Sequence, residues 1–474
     1  MGKSYDAIVI GAGPNGLAAA ITLAQAGRSV LVREANATVG GSCRSAELTL
    51  PGFVHDICST VQALALASPF MRSLPLAEHG LELVHPKAAY AQPLDDGTAG
   101  VAYPSLDETA STLGRDGAAW KKLFGPLVRD WQKLVPELLG PFSPFPRHPF
   151  AMANFGLKAL RSARSLAHGW FEGEHAKGLF AGVAAHSIVP LERMATSAFG
   201  LVLGASAHAG GWPVARGGSQ KLADALASIL RSLGGEIELQ ARVETLDELP
   251  PAKAVLCDVT ARQLLKLAGP RLPQGYQKRL QAFRYGPGVH KVDWALSEPI
   301  PWKASGCRDA GTIHLGGTFD ELAEAERAPW EGRYAEKPYV LLVQYPFEPS
   351  RAPAGKQIAW AYCHVPNGGE LDVTDRIERQ IERFAPGFKD TILARSAMGP
   401  AAMERHNANL IGGDITGGAN LFSQVFARPT LRVNPYKTPV KGLYLCSSST
   451  PPGGGVHGMS GYHAARTALR DVLR

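Results

Sequence analysis

With 474 residues, 45% of them apolar and 19% charged, the chain has room for roughly three domain-sized units, and its globular composition excludes intrinsic disorder. A formal charge of +7 and a pI near 9.0 are spread along the sequence without a Lys/Arg block, which argues against nucleic acid as a partner and leaves attraction to an anionic membrane surface or an acidic substrate open. Six cysteines without metal-ligand spacing, no secretory pattern and no uninterrupted run of about twenty apolar residues point to a cytoplasmic protein with free thiols and no spanning helix.

The chain opens with an apolar strand, Ala7 to Ile10, followed by Gly11-Ala12-Gly13-Pro14-Asn15-Gly16 and a helix of small apolar residues from Leu17 to Ala26. A second strand, Val30 to Val32, ends at an acid, Glu34. Each part has a chemical reason. Gly11 permits the tight turn, Gly13 lets backbone approach a pyrophosphate, and Gly16 lets helix and strand pack closely. The helix N-terminus, with Pro14 at its start and Asn15 beside it, presents N–H groups and a positive dipole end to phosphate, while Glu34 accepts from a ribose hydroxyl. A second glycine pair, Gly40-Gly41, leads into Arg44-Ser45.

Next come two long insertions and two further pieces of the nucleotide domain. Residues 85–210 read as helical and aromatic, with the helical part at 105–205 and a proline-rich loop from Pro141 to Pro149. Within it Lys158, Arg161, Arg164 and His168 form a basic helix face. Leu157 falls inside that arc, which favours a solvated face, with peripheral membrane contact as the alternative. Gly217-Gly218-Ser219 precedes a helix striped by Leu222, Leu226, Ile229, Leu230 and Leu233, with Ser219 as N-cap. Alternation from Ile237 to Val243 predicts a strand, and a short apolar strand ends at Cys257 before Asp258. Residues 276–431 carry strand patterns at 289–296, 339–345 and 357–364, the last two in an antiparallel sheet. The end of the chain is a strand, Gly442 to Cys446, then Ser447-Ser448-Ser449, a glycine-rich loop through Gly455, Val456, His457 and Gly458, and a helix from Met459.

The predicted fold is α/β: a Rossmann-like FAD-binding domain assembled from residues 1–84, 211–275 and 432–474, with a discontinuous α+β substrate domain at 85–210 and 276–431. A second glycine pair and a terminal glycine loop suit FAD better than NAD, since FAD lies extended and meets backbone at several points. Only one dinucleotide fingerprint is present, so no dedicated NAD(P)H domain is expected. HExxH, paired-carboxylate and GxSxG patterns are absent, and no metal site is expected.

On these marks the chain resembles FAD-dependent oxidoreductases of the phytoene desaturase and carotenoid isomerase type, nearest in pattern to the pyridine nucleotide-disulphide oxidoreductase domain proteins and more distantly to flavin amine oxidases. The resemblance implies that Gly40, Gly41 and Arg44 meet the pyrophosphate region and that Val243 meets adenine through its backbone. It further implies that Ser447 and Ser448 approach phosphate, where many relatives carry glycine, and that Val456 to Met459 border the flavin ring. In Gly288 to Trp294 it places Lys291 at the lysine that holds a water beside the flavin; His457 is the best-placed histidine for a base. The expected activity is hydride removal from a bulky, largely apolar, isoprenoid- or carotenoid-like small molecule, with electrons passing to oxygen or a quinone. Amine oxidation and a flavin-stabilised scaffold with little turnover are the alternatives, and the oligomeric state is left open.

Overall fold

A computed structural model describes residues 3–474. Its first sheet has five parallel strands in the order Leu443–Leu445, Ala252–Cys257, Tyr5–Ile10, Val30–Arg33 and Glu236–Glu238. Three distant stretches of chain therefore share one sheet, as the fold expectation required. Strands buried on both faces read as continuous apolar runs, and Ala7 to Ile10 and Val30 to Val32 do so. The strand order reverses between Tyr5–Ile10 and Ala252–Cys257, and a parallel sheet binds ligands in the crevice beyond such a reversal. The helices Pro14–Gln25 and Met459–Asp471 cross closely because Gly461 brings the second against the Asn15 carbonyl, where any Cβ would collide.

The second sheet has seven strands, ordered Ile392–Met398, Gly288–Leu296, Gln357–Val365, Val340–Gln344, Ala310–Leu315, Ala88–Pro93 and Ala99–Ala102. The pairings are antiparallel except that of Ala310–Leu315 with Ala88–Pro93. One face carries Val292, Trp294, Ala361 and Cys363 into a separate apolar core. The other carries Lys291, Asp293, Trp360, Tyr362 and His364, and the helices Glu174–Ala184 and Thr196–Ala209 belong to the larger core on that side.

Two local expectations change. The strand predicted from Ile237 to Val243 stops at Glu238, because Gln240 takes a left-handed conformation (φ 53°). Beyond it the chain follows the first segment, with Gln240 N–H donating to Asn36 O and Ala241 N–H to Glu34 O. Ser219 does not cap its helix: its N–H donates to Asp56 (2.7 Å) and its hydroxyl accepts from Gln62 (3.0 Å).

Candidate active site

The cleft is built where the reversed strands end. Gly11 adopts φ 101°, a Cβ on Gly16 would strike the Gly11 carbonyl, and one on Gly13 would stand 2.9 Å from Asp258 Oδ2. Pro14 is the first helical residue after Gly13, which has no side-chain cap of its own. The second glycine loop closes on the first: Gly40 N–H donates to Ala12 O, and a Cβ on Gly41 would lie 3.1 Å from Gly13 Cα. Arg44 Nε holds the Gly41 carbonyl at 3.0 Å. The Glu34 carboxylate accepts from Ala12 N–H (2.8 Å) and from both nitrogens of Asn36 (2.9 and 2.7 Å). An ionised carboxylate has about four acceptor positions, so one stays free for a ribose hydroxyl. Val243 is buried just past the stretch bonded to Glu34 and Asn36. The Asn15 Oδ1 atom, in the first turn of that helix, is buried without a partner. Facing glycine loops that exclude any Cβ, an acid at the second strand and an orphaned amide oxygen at the helix start fit an extended dinucleotide such as FAD.

Asp258 is a member of this cleft that the sequence analysis did not single out. It follows the strand beside the reversal, its N–H bonds to Ile10 O, and its Oδ2 accepts from Gly16 N–H at 2.9 Å. Burial lifts its carboxyl from 3.8 to about 7; the Gly16 hydrogen bond opposes this and the Glu34 charge adds to it. An acid directly after an apolar strand was the available signal, but its meaning depends on which strand lies alongside.

The C-terminal loop is more firmly tied than the sequence suggested. His457 is buried, with Nε2 3.2 Å from Gly453 O and Nδ1 accepting from Met459 N–H at 3.0 Å. Both ring nitrogens are thus occupied within the loop, and burial lowers its pKa to about 4. This geometry makes His457 a brace of the glycine loop and leaves no ring nitrogen free to act as a base. Gly458 packs on the first helix, where a Cβ would lie 2.9 Å from that of Ala18. Gly455 is exposed and Val456 half-buried, while His457, Gly458 and Met459 are buried. Ser447 Oγ donates to Val259 O (2.6 Å), and Ser448 is half-buried against Gly417.

Opposite the glycine loops stands the sheet face that bears Lys291. Lys291 and Asp293 form a buried ion pair two residues apart on Gly288–Leu296. Burial raises Asp293 to about 6 against the pull of Lys291. His55 Nδ1 lies 3.5 Å from Asp293 Oδ1, its Nε2 lies 2.8 Å from Thr49 Oγ1, and burial lowers its pKa to about 3. His406, lowered to about 4 by burial and the Arg44 and Lys291 charges, accepts from Arg44 Nη2 at 2.9 Å. The same nitrogen donates to the His406 carbonyl. Ser45 does not reach the cleft through its hydroxyl, which donates to Asp56 (2.6 Å). Asp56 also receives Arg351 Nη1 at 2.6 Å, and Arg351 reaches Glu348 (3.1 Å) and Ala215 O (2.8 Å). One buried network therefore joins the first segment, the middle segment and the loop after Val340–Gln344 in the seven-stranded sheet.

From Lys291 a belt of rings crosses the sheet. Its ammonium stands 5.6 Å from the Trp360 ring, and ring centroids follow at 5.4 Å (Trp360–Tyr362), 5.5 Å (Tyr362–His364), 5.7 Å (His364–Tyr339) and 5.9 Å (Tyr339–His314). His314 then touches Tyr90 and lies 3.0 Å from His186, nitrogen to nitrogen. Strand register explains the order, since Lys291 pairs with Tyr362 and Asp293 with Trp360. His364 is held by Glu326 at 2.7 Å. Among the described residues no group of acids, histidines and cysteines could hold a metal.

Fold and cleft define a Rossmann-type dinucleotide-binding protein whose glycine loops and acid suit an extended dinucleotide such as FAD. Residues 9–67 match the family described as an NAD(P)-binding Rossmann-like domain. The chain is homologous to pyridine nucleotide-disulfide oxidoreductase domain-containing protein 2 of Rattus norvegicus, 27% identical over 99% of this chain and 94% of the relative. It is 23% identical to a limonene dehydrogenase component of Castellaniella defragrans over 99% of this chain and 95% of that one. Among solved structures it shares the fold of an oxidoreductase from Methanosarcina mazei (TM-score 0.65, 15% identity, 99% and 100% covered). It also shares that of a putrescine oxidase triple mutant redesigned in cofactor binding (TM-score 0.62, 20% identity, 99% of each chain).

Proposed function

We propose that the protein removes hydride from a bulky, largely apolar, isoprenoid-like substrate and passes the electrons to oxygen or a quinone. The observation that carries this reading is the ring belt beginning at Lys291. Flat aromatic walls bury large apolar area at low entropy cost and suit unsaturated or cyclic hydrocarbon. Because Asp293 balances the Lys291 charge, that end of the belt offers no net negative charge to attract a cation. Limonene, in the name of one relative, is an isoprenoid hydrocarbon. Bound FAD supplies the hydride acceptor. Lys291 holds a water and passes a proton at its Nζ, Asp293 fixes that ammonium, and Trp360 and Tyr362, the rings nearest Lys291, orient the substrate, while Tyr339 and His314 pack beneath the helix Glu174–Ala184 and hold those two rings in place.

Anaerobic mixing of the yellow holoprotein with a panel of isoprenoids, amines and NADPH tests this. Bleaching of the visible absorbance by an isoprenoid, and slow or no bleaching by NADPH, is expected. Rapid bleaching by NADPH alone defeats the proposal. The second reading is amine oxidation, favoured by the Trp360 ring over a cation already in place, with Tyr362 directly across the strand from Lys291. Peroxide release with an amine would select it.

A further inference from the structure

The helix Pro149–Ala159 has two apolar sides. Phe155 and Ala159 enter the core, whereas Phe150, Ala153 and Leu157, three and four positions apart, stand in solvent and Leu160 continues the stripe. Phe150 is 91% exposed and Leu157 78%. The preceding proline-rich loop lifts Phe145 to 88% exposure and sets Phe142 edge-on against Phe426 at 5.2 Å. Phe426 in turn meets Phe422 at 5.4 Å, which joins a second segment to the surface. Nine of the fourteen large hydrophobic side chains exposed among the described residues come from residues 142–160 and 422–433. Isolated exposed apolar residues are ordinary; a cluster drawn from two segments marks an interaction site.

The charges say what covers it. Residues 138–171 and 415–436 contain no Asp or Glu. Arg147, Lys158, Arg161 and Arg432, from the same segments, make no side-chain ion pair with an acid among the described residues, and the carboxylate of Glu137, just before them, accepts from the Arg147 backbone N–H (2.7 Å). No helix among the described residues is long and apolar enough to cross a membrane. We propose that this surface docks the protein on an anionic lipid bilayer, with the phenylalanines and Leu157 entering the headgroup layer and the basic side chains meeting lipid phosphate. Stacking two copies face to face would oppose like charges on a chain that already carries +7. Aromatic tips on a loop and an apolar stripe bordered by cations suit an interface between water and lipid. Leu157, which on a helical wheel interrupts the basic arc, is here part of the inserting stripe.

Sedimentation of the holoprotein with vesicles tests this, using phosphatidylcholine alone and equal parts phosphatidylcholine and phosphatidylglycerol. Binding to the anionic vesicles, weak binding to the neutral ones and release by salt are expected. Combining Phe145→Ser, Phe150→Ser and Leu157→Ser should weaken partitioning on the order of a hundredfold. Arg147→Gln with Lys158→Gln should remove most of the preference for anionic lipid. Retained yellow colour and an unchanged melting temperature show that both variants fold. Absence of wild-type binding, equal binding to both vesicles, or binding that the serine variant leaves intact each overturns the proposal. So does a solution dimer that the serine variant converts to monomer.

Discussion

Asp258→Asn is the most direct probe of the cofactor cleft. The carboxyl sits at the strand reversal, on the N–H of Gly16, where the first helix would present its donors to phosphate. Its ordinary value of 3.8 becomes about 7 through burial. Because the native pKa lies above the unfolded one, the native state holds the extra proton between about pH 4 and about pH 7, and stability falls as pH rises through that window. At ~1.4 kcal/mol per pH unit this amounts to about 4 kcal/mol for a fully buried carboxyl, and to less here because Asp258 is partly exposed. A pyrophosphate strengthens the coupling, since it favours the neutral acid. FAD affinity of the wild type should therefore weaken toward a limit of about tenfold per pH unit above about pH 7. The amide keeps an oxygen for Gly16 and removes the charge, so the variant should bind FAD tighter at about pH 8 and with a flat pH profile. Quenching of flavin fluorescence across about pH 6 to 8 measures both. If the variant keeps the wild-type slope, Asp258 is not the titrating group and the reasoning fails.

Three other changes probe the remaining links. Gly16→Ala drives a Cβ into the Gly11 carbonyl and should give a colourless protein that takes up no FAD in an absorbance titration. Arg351→Met leaves Asp56 buried without its cation and Glu348 with only the more distant Arg216 (3.8 Å), a loss of about 3–5 kcal/mol in denaturant unfolding; a loss below about 1 kcal/mol would show that the network is not stabilising as drawn. Lys291→Met should retain FAD while slowing substrate-driven bleaching by about 10²–10⁴-fold, without rescue by Lys291→Arg, whose guanidinium has no usable neutral form.

The opening unit was legible because glycine spacing, a strand and an acid all lie within a few residues and are set by local geometry. The strands Val340–Gln344 and Gln357–Val365 were legible too, since their apolar runs are bounded by turn residues. What escaped depends on contacts between distant residues. Ser219 looks like a helix cap in its own neighbourhood, yet its hydroxyl oxygen accepts instead from Gln62, 157 positions away. Arg351 and Asp56 are 295 positions apart, and neither has a local pattern that names the other. Gln240 ends a strand through a left-handed turn that alternation gives no sign of. His457 occupies the expected loop, but only the fold shows its two nitrogens turned inward.

These long-range contacts also bear on how the site works. Arg44 holds the Gly41 carbonyl with one nitrogen and His406 with another, so the loop expected at the pyrophosphate is fastened to the helix that follows the edge strand Ile392–Met398 of the second sheet. Asp56, a few residues further on, is fastened to Arg351 in the loop after Val340–Gln344, and His55 between them faces Asp293. Apolar contact would let the two sheets slide, because burial has no direction, whereas hydrogen bonds to buried charges fix both distance and angle. The position of Lys291 relative to the glycine loops is therefore set by polar contacts made by the same short stretch, 44–56, that follows those loops. Cofactor binding and the placement of Lys291 are in this sense one structural problem, and a change that loosens Arg44 should disturb both together.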